Sequence, residues 1–154
     1  MHRENGGSGL WGLTAVEQLL PKLRDDLKRM ETEPQNPFPA YDFFVTAYHM
    51  YEWAGKGDKS IKKQLEREPL VRLAGEIATR AKHFYAADEK WVYLASTEDR
   101  TPGPPGATPA PMRTQLRIVI KDPLPPEIQE HEVSAVVLAR LLVDRWTRWV
   151  KERK

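Results

Sequence analysis

The spacing of hydrophobic and polar positions changes several times along the chain, and each change marks an element. The densest apolar run is Ala40 to Gly55, AYDFFVTAYHMYEWAG. At about 100° per residue, Phe43, Ala47, Met50 and Ala54 fall on one helical stripe, widened by Phe44 and Tyr51. Asp42, Thr46, His49 and Trp53 follow a second stripe about a quarter turn away. A helix with aromatics over most of its circumference belongs in the middle of a bundle, so the rest of the chain is expected to pack around this one. Asp42 is the expected N-cap, following Pro37 and Pro39, and Gly55 the expected C′ residue.

Upstream, Leu19, Leu20, Leu23, Leu27 and Met30 recur at helical spacing behind a capping-box pattern, Thr14 to Glu17. Pro21 lies inside this pattern. Either the first helix is kinked there, the reading adopted here, or it starts properly at Leu20 and leaves Trp11 to Gln18 as a separate turn. Glu31 to Pro39 reads as a loop. After Gly55, Asp58 and Ser60 are alternative caps for a short basic helix, IKKQLERE. Pro69 ends it and can occupy the first position of the next, Pro69 to Tyr85. There Leu70, Leu73, Ala74, Ile77, Ala81 and Phe84 share a side.

The period then shortens. Trp91 to Thr97 and Gln115 to Lys121 are rich in β-branched and aromatic residues and predict two antiparallel strands, with Leu116, Ile118 and Ile120 facing the helices. Residues 98–114 form a proline-rich loop between them, longer than a hairpin needs, expected to be a variable insertion rather than a lid. The last helix is predicted from Glu127 to about Lys151, with Ile128, Ala135, Ala139, Leu142, Val143, Trp146, Trp149 and Val150 on its buried face. The expected fold is therefore mainly α: a bundle of four to five helices with a two-stranded antiparallel β-ribbon before the last helix. Residues 1–9 read as a flexible tail and 10–154 as a single domain.

Composition narrows the function classes. A chain of 154 residues can bury about two-thirds of its unfolded surface without staples. It has no cysteine, which removes disulfides, thiolate metal sites and cysteine nucleophiles. No run approaches about 18 apolar residues, and MHRENGGSG has no apolar signal core, so a cytoplasmic protein without a membrane partner is expected. Its 24 basic and 22 acidic residues nearly cancel, which is no nucleic-acid signature unless they cluster.

Three constellations could carry chemistry. Glu76, Arg80 and His83 share the polar border of one helix, where arginine and histidine could hold a phosphate and move a proton, as a metal-independent ribonuclease requires; a solvated face with a Glu76–Arg80 pair is the plain alternative. His49, beside Trp53 and within reach of Asp42, could titrate near neutrality or simply be a satisfied core histidine. If the central and last helices are neighbours, His49, Asp42, His131 and Glu132 could converge, yet no metal-ligand motif is present and neither a metal nor a cofactor is expected. The C-terminal RWTRWVKERK alternates cations with tryptophans, as single-strand binders do, but its tryptophans fall on the core face.

The pairing of AYHMYEW (Ala47 to Trp53) with ATRAKHF (Ala78 to Phe84), followed by a strand and a late tryptophan-containing helix, resembles small uncharacterised proteins of bacteria and their prophages. Those in turn resemble, distantly, the HEPN group of helical bundles, many of them ribonucleases of toxin and phage-defence systems. The resemblance implies that Arg80 and His83 stand where that group has its catalytic arginine and histidine, although their three-residue spacing departs from the group's four to six; in a ribonuclease of this kind His49 could serve as a helper. Two readings follow: a non-enzymatic helical interaction or accessory protein, working through a homodimer or a protein partner, and a HEPN-like metal-independent ribonuclease, under which alone RNA is a partner.

Overall fold

The computed structural model describes residues 10–83, 92–99, 113–120 and 123–153, with side chains at 11–80, 116–120 and 123–153. Thus the tail 1–9, most of the proline-rich loop, Phe84 and Trp91 lie outside the described residues, as do the side chains of Ala81 and His83. The fold is mainly helical: α1 (Leu19–Thr32), α2 (Pro37–Ala54), α3 (Lys59–Glu66), α4 (Pro69–His83), β1 (Val92–Asp99), β2 (Arg113–Ile120), β3 (Glu132–Ser134) and α5 (Ala135–Glu152).

Local chemistry sets the helix starts. Before α1, a 3-10 turn, Val16–Gln18, is fastened by the Gln18 side chain, whose Oε1 accepts from the amides of Thr14 (2.7 Å) and Ala15 (2.8 Å). Gln18, not Glu17, thus reaches back as the capping-box pattern required. Pro21 sits in the first turn of α1, where an amide has no intrahelical acceptor to lose, so the expected kink does not form.

For α2 the N-cap is Asn36, whose side chain accepts from the Phe38 amide at 3.0 Å, with Pro37 in the first helical position. Asp42 lies well over a turn inside the helix, too late for the capping role assigned from sequence. Gly55 closes α2 in right-handed conformation (φ −86°), not in the left-handed one expected. Its missing side chain is needed for another reason: a Cβ there would lie 2.9 Å from Cβ of Lys62, on α3. Asp58 caps α3 by accepting from the amides of Ser60 (2.9 Å) and Ile61 (3.2 Å), and Pro69 opens α4.

The expected two-strand ribbon is present and gains a third strand. The sheet order is β1-β2-β3, antiparallel throughout; Val92 faces Ile120 and Asp99 faces Arg113, while Ile118 faces Val133 and Val119 faces Glu132. Glu132–Ser134, predicted as helix, is extended because β2 has an open edge there, and Ser134 then caps α5 by accepting from the Val136 amide at 3.2 Å. The last helix therefore begins at Ala135 rather than Glu127.

One core joins these elements. Phe43, Ala47, Met50 and Ala54 of α2 are all buried, as the stripe requires, together with Leu23, Ile77, Leu142 and Trp146. From the sheet, Ile118 and Ile120 enter the same core. Trp146 and Trp149 pack edge to face at 5.5 Å, and the Arg153 guanidinium lies 4.0 Å above the Trp149 ring, so the C-terminal tryptophans are core residues.

Two buried polar side chains interrupt the apolar α1–α2 seam. Thr46 donates to Asp26 Oδ2 at 3.5 Å. Lys22 meets the same carboxylate at 2.6 Å and Arg29 meets Oδ1 at 3.3 Å, while Arg29 also reaches Asp42 of α2 at 3.0 Å. Lys22 and Arg29 are half-exposed and Asp26 is not, so the cost of losing a partner is asymmetric. Replacing both cations, as Lys22→Met and Arg29→Met, strands a buried charge under apolar stems and should lower the unfolding free energy by more than Asp26→Asn does. Asp26→Asn, which leaves Lys22 free to hydrate and Arg29 paired with Asp42, should cost about 1 kcal/mol. Urea unfolding measures both, and the reverse ranking would refute this reading of the seam.

Candidate functional site

The predicted site residues are distributed over two packed helices. Arg80 lies near the end of α4, where its Nε is buried without a hydrogen-bond partner among the described residues. His83 is the last residue of α4, three residues later in the chain. His49, on α2, is half-exposed and faces Glu52 of its own helix, Nδ1 to Oε2 at 3.2 Å. No hydrogen bond or ion pair among the described residues joins His49 to Arg80.

The suggested convergence of His49, Asp42, His131 and Glu132 does not form. Arg29 holds Asp42, Glu132 takes Arg117 at 2.9 Å, and His131 Nδ1 lies 2.8 Å from the Ile120 carbonyl oxygen, against β2. Among the described residues no group of three potential ligands is placed to hold a metal ion. No helix of these residues is long and apolar enough to cross a membrane.

Between α2 and α4 runs a small cleft of about 250 Å³, with Tyr48 and Tyr51 on one wall and Arg72, Gly75 and Glu76 on the other. The Tyr51 hydroxyl donates to Glu66 Oε1. Burial first, and then this carboxylate, raise the Tyr51 phenol well above the usual tyrosine value; burial and Glu52 raise Tyr48 as well. An apolar pocket of about 210 Å³ lies beyond Arg72 and Glu76, walled by Leu73, Ile120 and Leu124.

A much larger groove, about 630 Å³, lies where β3 hands over to α5. One wall is the end of α1 and the following turn, Glu31 and Pro34. The floor is the sheet margin, Arg117 with Glu132 to Ser134, and the far wall is the first turns of α5, Val136, Val137, Arg140 and Leu141. Glu127, Ile128 and Glu130 close one end. The Leu116 amide donates to the Pro34 carbonyl at 3.1 Å, which ties the turn to β2 and fixes the groove's width. Val137 is 42% exposed and Leu141 partly so, although both belong to a helix whose opposite face is fully buried.

Sequence reasoning missed this groove, since it depends on β3. The signal available was Ser134 itself, an N-cap residue directly before AVVLARLL, behind β-branched Val133. Comparison with family models, with curated proteins and with solved structures returns no match.

The raised phenols give a pH dependence with a definite sign. Folding strengthens proton binding by Tyr51, so its contribution is complete below the ordinary tyrosine pKa of about 10 and is lost as pH rises above it. Tyrosinate absorbance should show a late-ionising fraction that Tyr51→Phe reduces by one tyrosine, leaving Tyr48, and that Glu66→Gln moves down. Ionisation of every tyrosine like the free amino acid would contradict the Tyr51–Glu66 pairing.

Proposed function

We propose that the chain is a non-enzymatic helical interaction or accessory protein, of bacterial or prophage origin, that docks a protein partner in the groove beside β3. What supports the reading is the exposure of Val137 next to Leu141 in an open channel walled by α1, its following turn and α5. A 42%-exposed valine flanked by apolar neighbours gains by being covered, and helix, turn and strand edge supply the preformed surface. A homodimer through the same surface is the second-copy form of this reading.

The test is site-specific photo-crosslinking in the native host. A photoreactive residue at Val137 should give a discrete adduct that Leu141→Asp abolishes, whereas the same residue at Asp25, on the exposed side of α1, should give none. An adduct of twice the chain mass identifies the homodimer. Equal adduct yields at the two positions, or none at Val137, would overturn the reading.

One observation favours the HEPN-like ribonuclease as a second reading: among the described residues Arg80 carries a buried Nε without a partner, a donor that an anion such as a phosphate would satisfy. Under it, purified protein should cleave mixed RNA without added metal, and Arg80→Ala and His83→Ala should each reduce the rate at least about a hundredfold. Absence of cleavage by the unmodified protein removes it.

A further inference from the structure

The charges and the backbone edge in the groove specify the occupant more narrowly than its apolar strip does. Its two arginines are already engaged: Arg117 with Glu132 at 2.9 Å and Arg140 with Glu31 at 3.1 Å. Glu127 and Glu130, both exposed at the groove's end, are in no ion pair among the described residues. Glu127 also acts at longer range on Arg145, which Glu68 already holds, so the two carboxylates leave this end of the groove negative and the complementary ligand is cationic.

The floor adds a directional feature. β3 is the outermost strand, with β2 on one side and no strand on the other among the described residues. The Ile120 amide donates to the His131 carbonyl, which makes that pair hydrogen-bonded; alternation along an antiparallel ladder then turns the backbone groups of Glu132, opposite Val119, toward the free edge. The exposed apolar side chains of α5 stand beside this edge. An extended chain laid there would pair with β3 through its backbone and place alternate side chains against Val137, as strand-addition complexes do.

We infer that the groove recognises an extended segment of a protein partner in which lysine or arginine alternates with aliphatic residues. The inference rests on the docking reading above and adds the chemistry of the partner. Cationic side chains meet Glu127 and Glu130, aliphatic ones cover Val137 and Leu141, and backbone groups extend the sheet by one strand.

The probe is a short fluorescent peptide of alternating lysine and valine, titrated onto the full chain and followed by anisotropy. Saturable binding is expected. It should weaken about three- to tenfold in Glu127→Gln/Glu130→Gln, weaken again in high salt, and disappear for the peptide in which glutamate replaces lysine. A peptide N-methylated at alternate residues, which cannot pair with a strand edge, should also fail. Val137→Asp, if it stays folded by circular dichroism, should abolish the apolar contribution. Equal binding of the lysine and glutamate peptides, no change in the double glutamine variant, or no saturable binding would each overturn the inference. A Val137 crosslink that forms while the lysine peptide does not bind separates the two: the groove then docks a partner, but not a basic one.

Discussion

The structure depends on the need to cover a helix that is apolar on more than one side. α2 carries Phe43, Phe44, Ala47 and Met50, all at 2% exposure or less, and no single neighbour can cover that arc. The helix is accordingly surrounded: α1 and α4 take its two main flanks, and α3 and α5 contact it elsewhere. The remaining elements pack where α2 leaves room for them. The sheet lies outside this layer and contributes Ile118 and Ile120 to the shared core, with β1 against α4 and β2 against α5.

Packing of this kind does not by itself fix which helix sits beside which, and ion pairs at the seams supply part of that specification. Asp26 with Thr46, and Arg29 with Asp42, set α1 against α2. Arg145 makes a two-pronged pair with Glu68, binding α5 to the start of α4; this pairing holds the Arg145 guanidinium above its usual pKa. Arg140 with Glu31 joins α5 to the end of α1. The last of these also forms a wall of the groove, so the contacts that assemble the bundle shape its open surface as well.

Periodicity made the helices legible. The stripe on α2, the proline at the head of α4, the Asp58 cap and the buried face of α5 were all visible because they depend on residues within a turn or two of one another. What was not visible required a partner distant in sequence. Asp42 looked like a cap until Arg29 took it, and Glu132–Ser134 looked helical until the open edge of β2 drew it into the sheet. His49 and His131 looked convergent on helical wheels, yet Glu52 and the Ile120 carbonyl are their neighbours. The groove belongs to the same class, since its floor exists only after β3 has paired. Arg80 and His83 were legible as neighbours on one helix, which says where they lie and nothing of a substrate.

The central claim is that α2 is the most deeply held element and that the others assemble on it. Native-state hydrogen exchange resolved by residue tests it most directly, because protection reports the free energy needed to open each segment. The amides from Phe43 to Met50 should exchange most slowly of all the helices, at the rate of global unfolding, while those of α3 exchange faster through local opening. If the α2 amides exchange as fast as those of α3, or α5 stays protected after α2 has opened, α2 is not the element on which the rest is built.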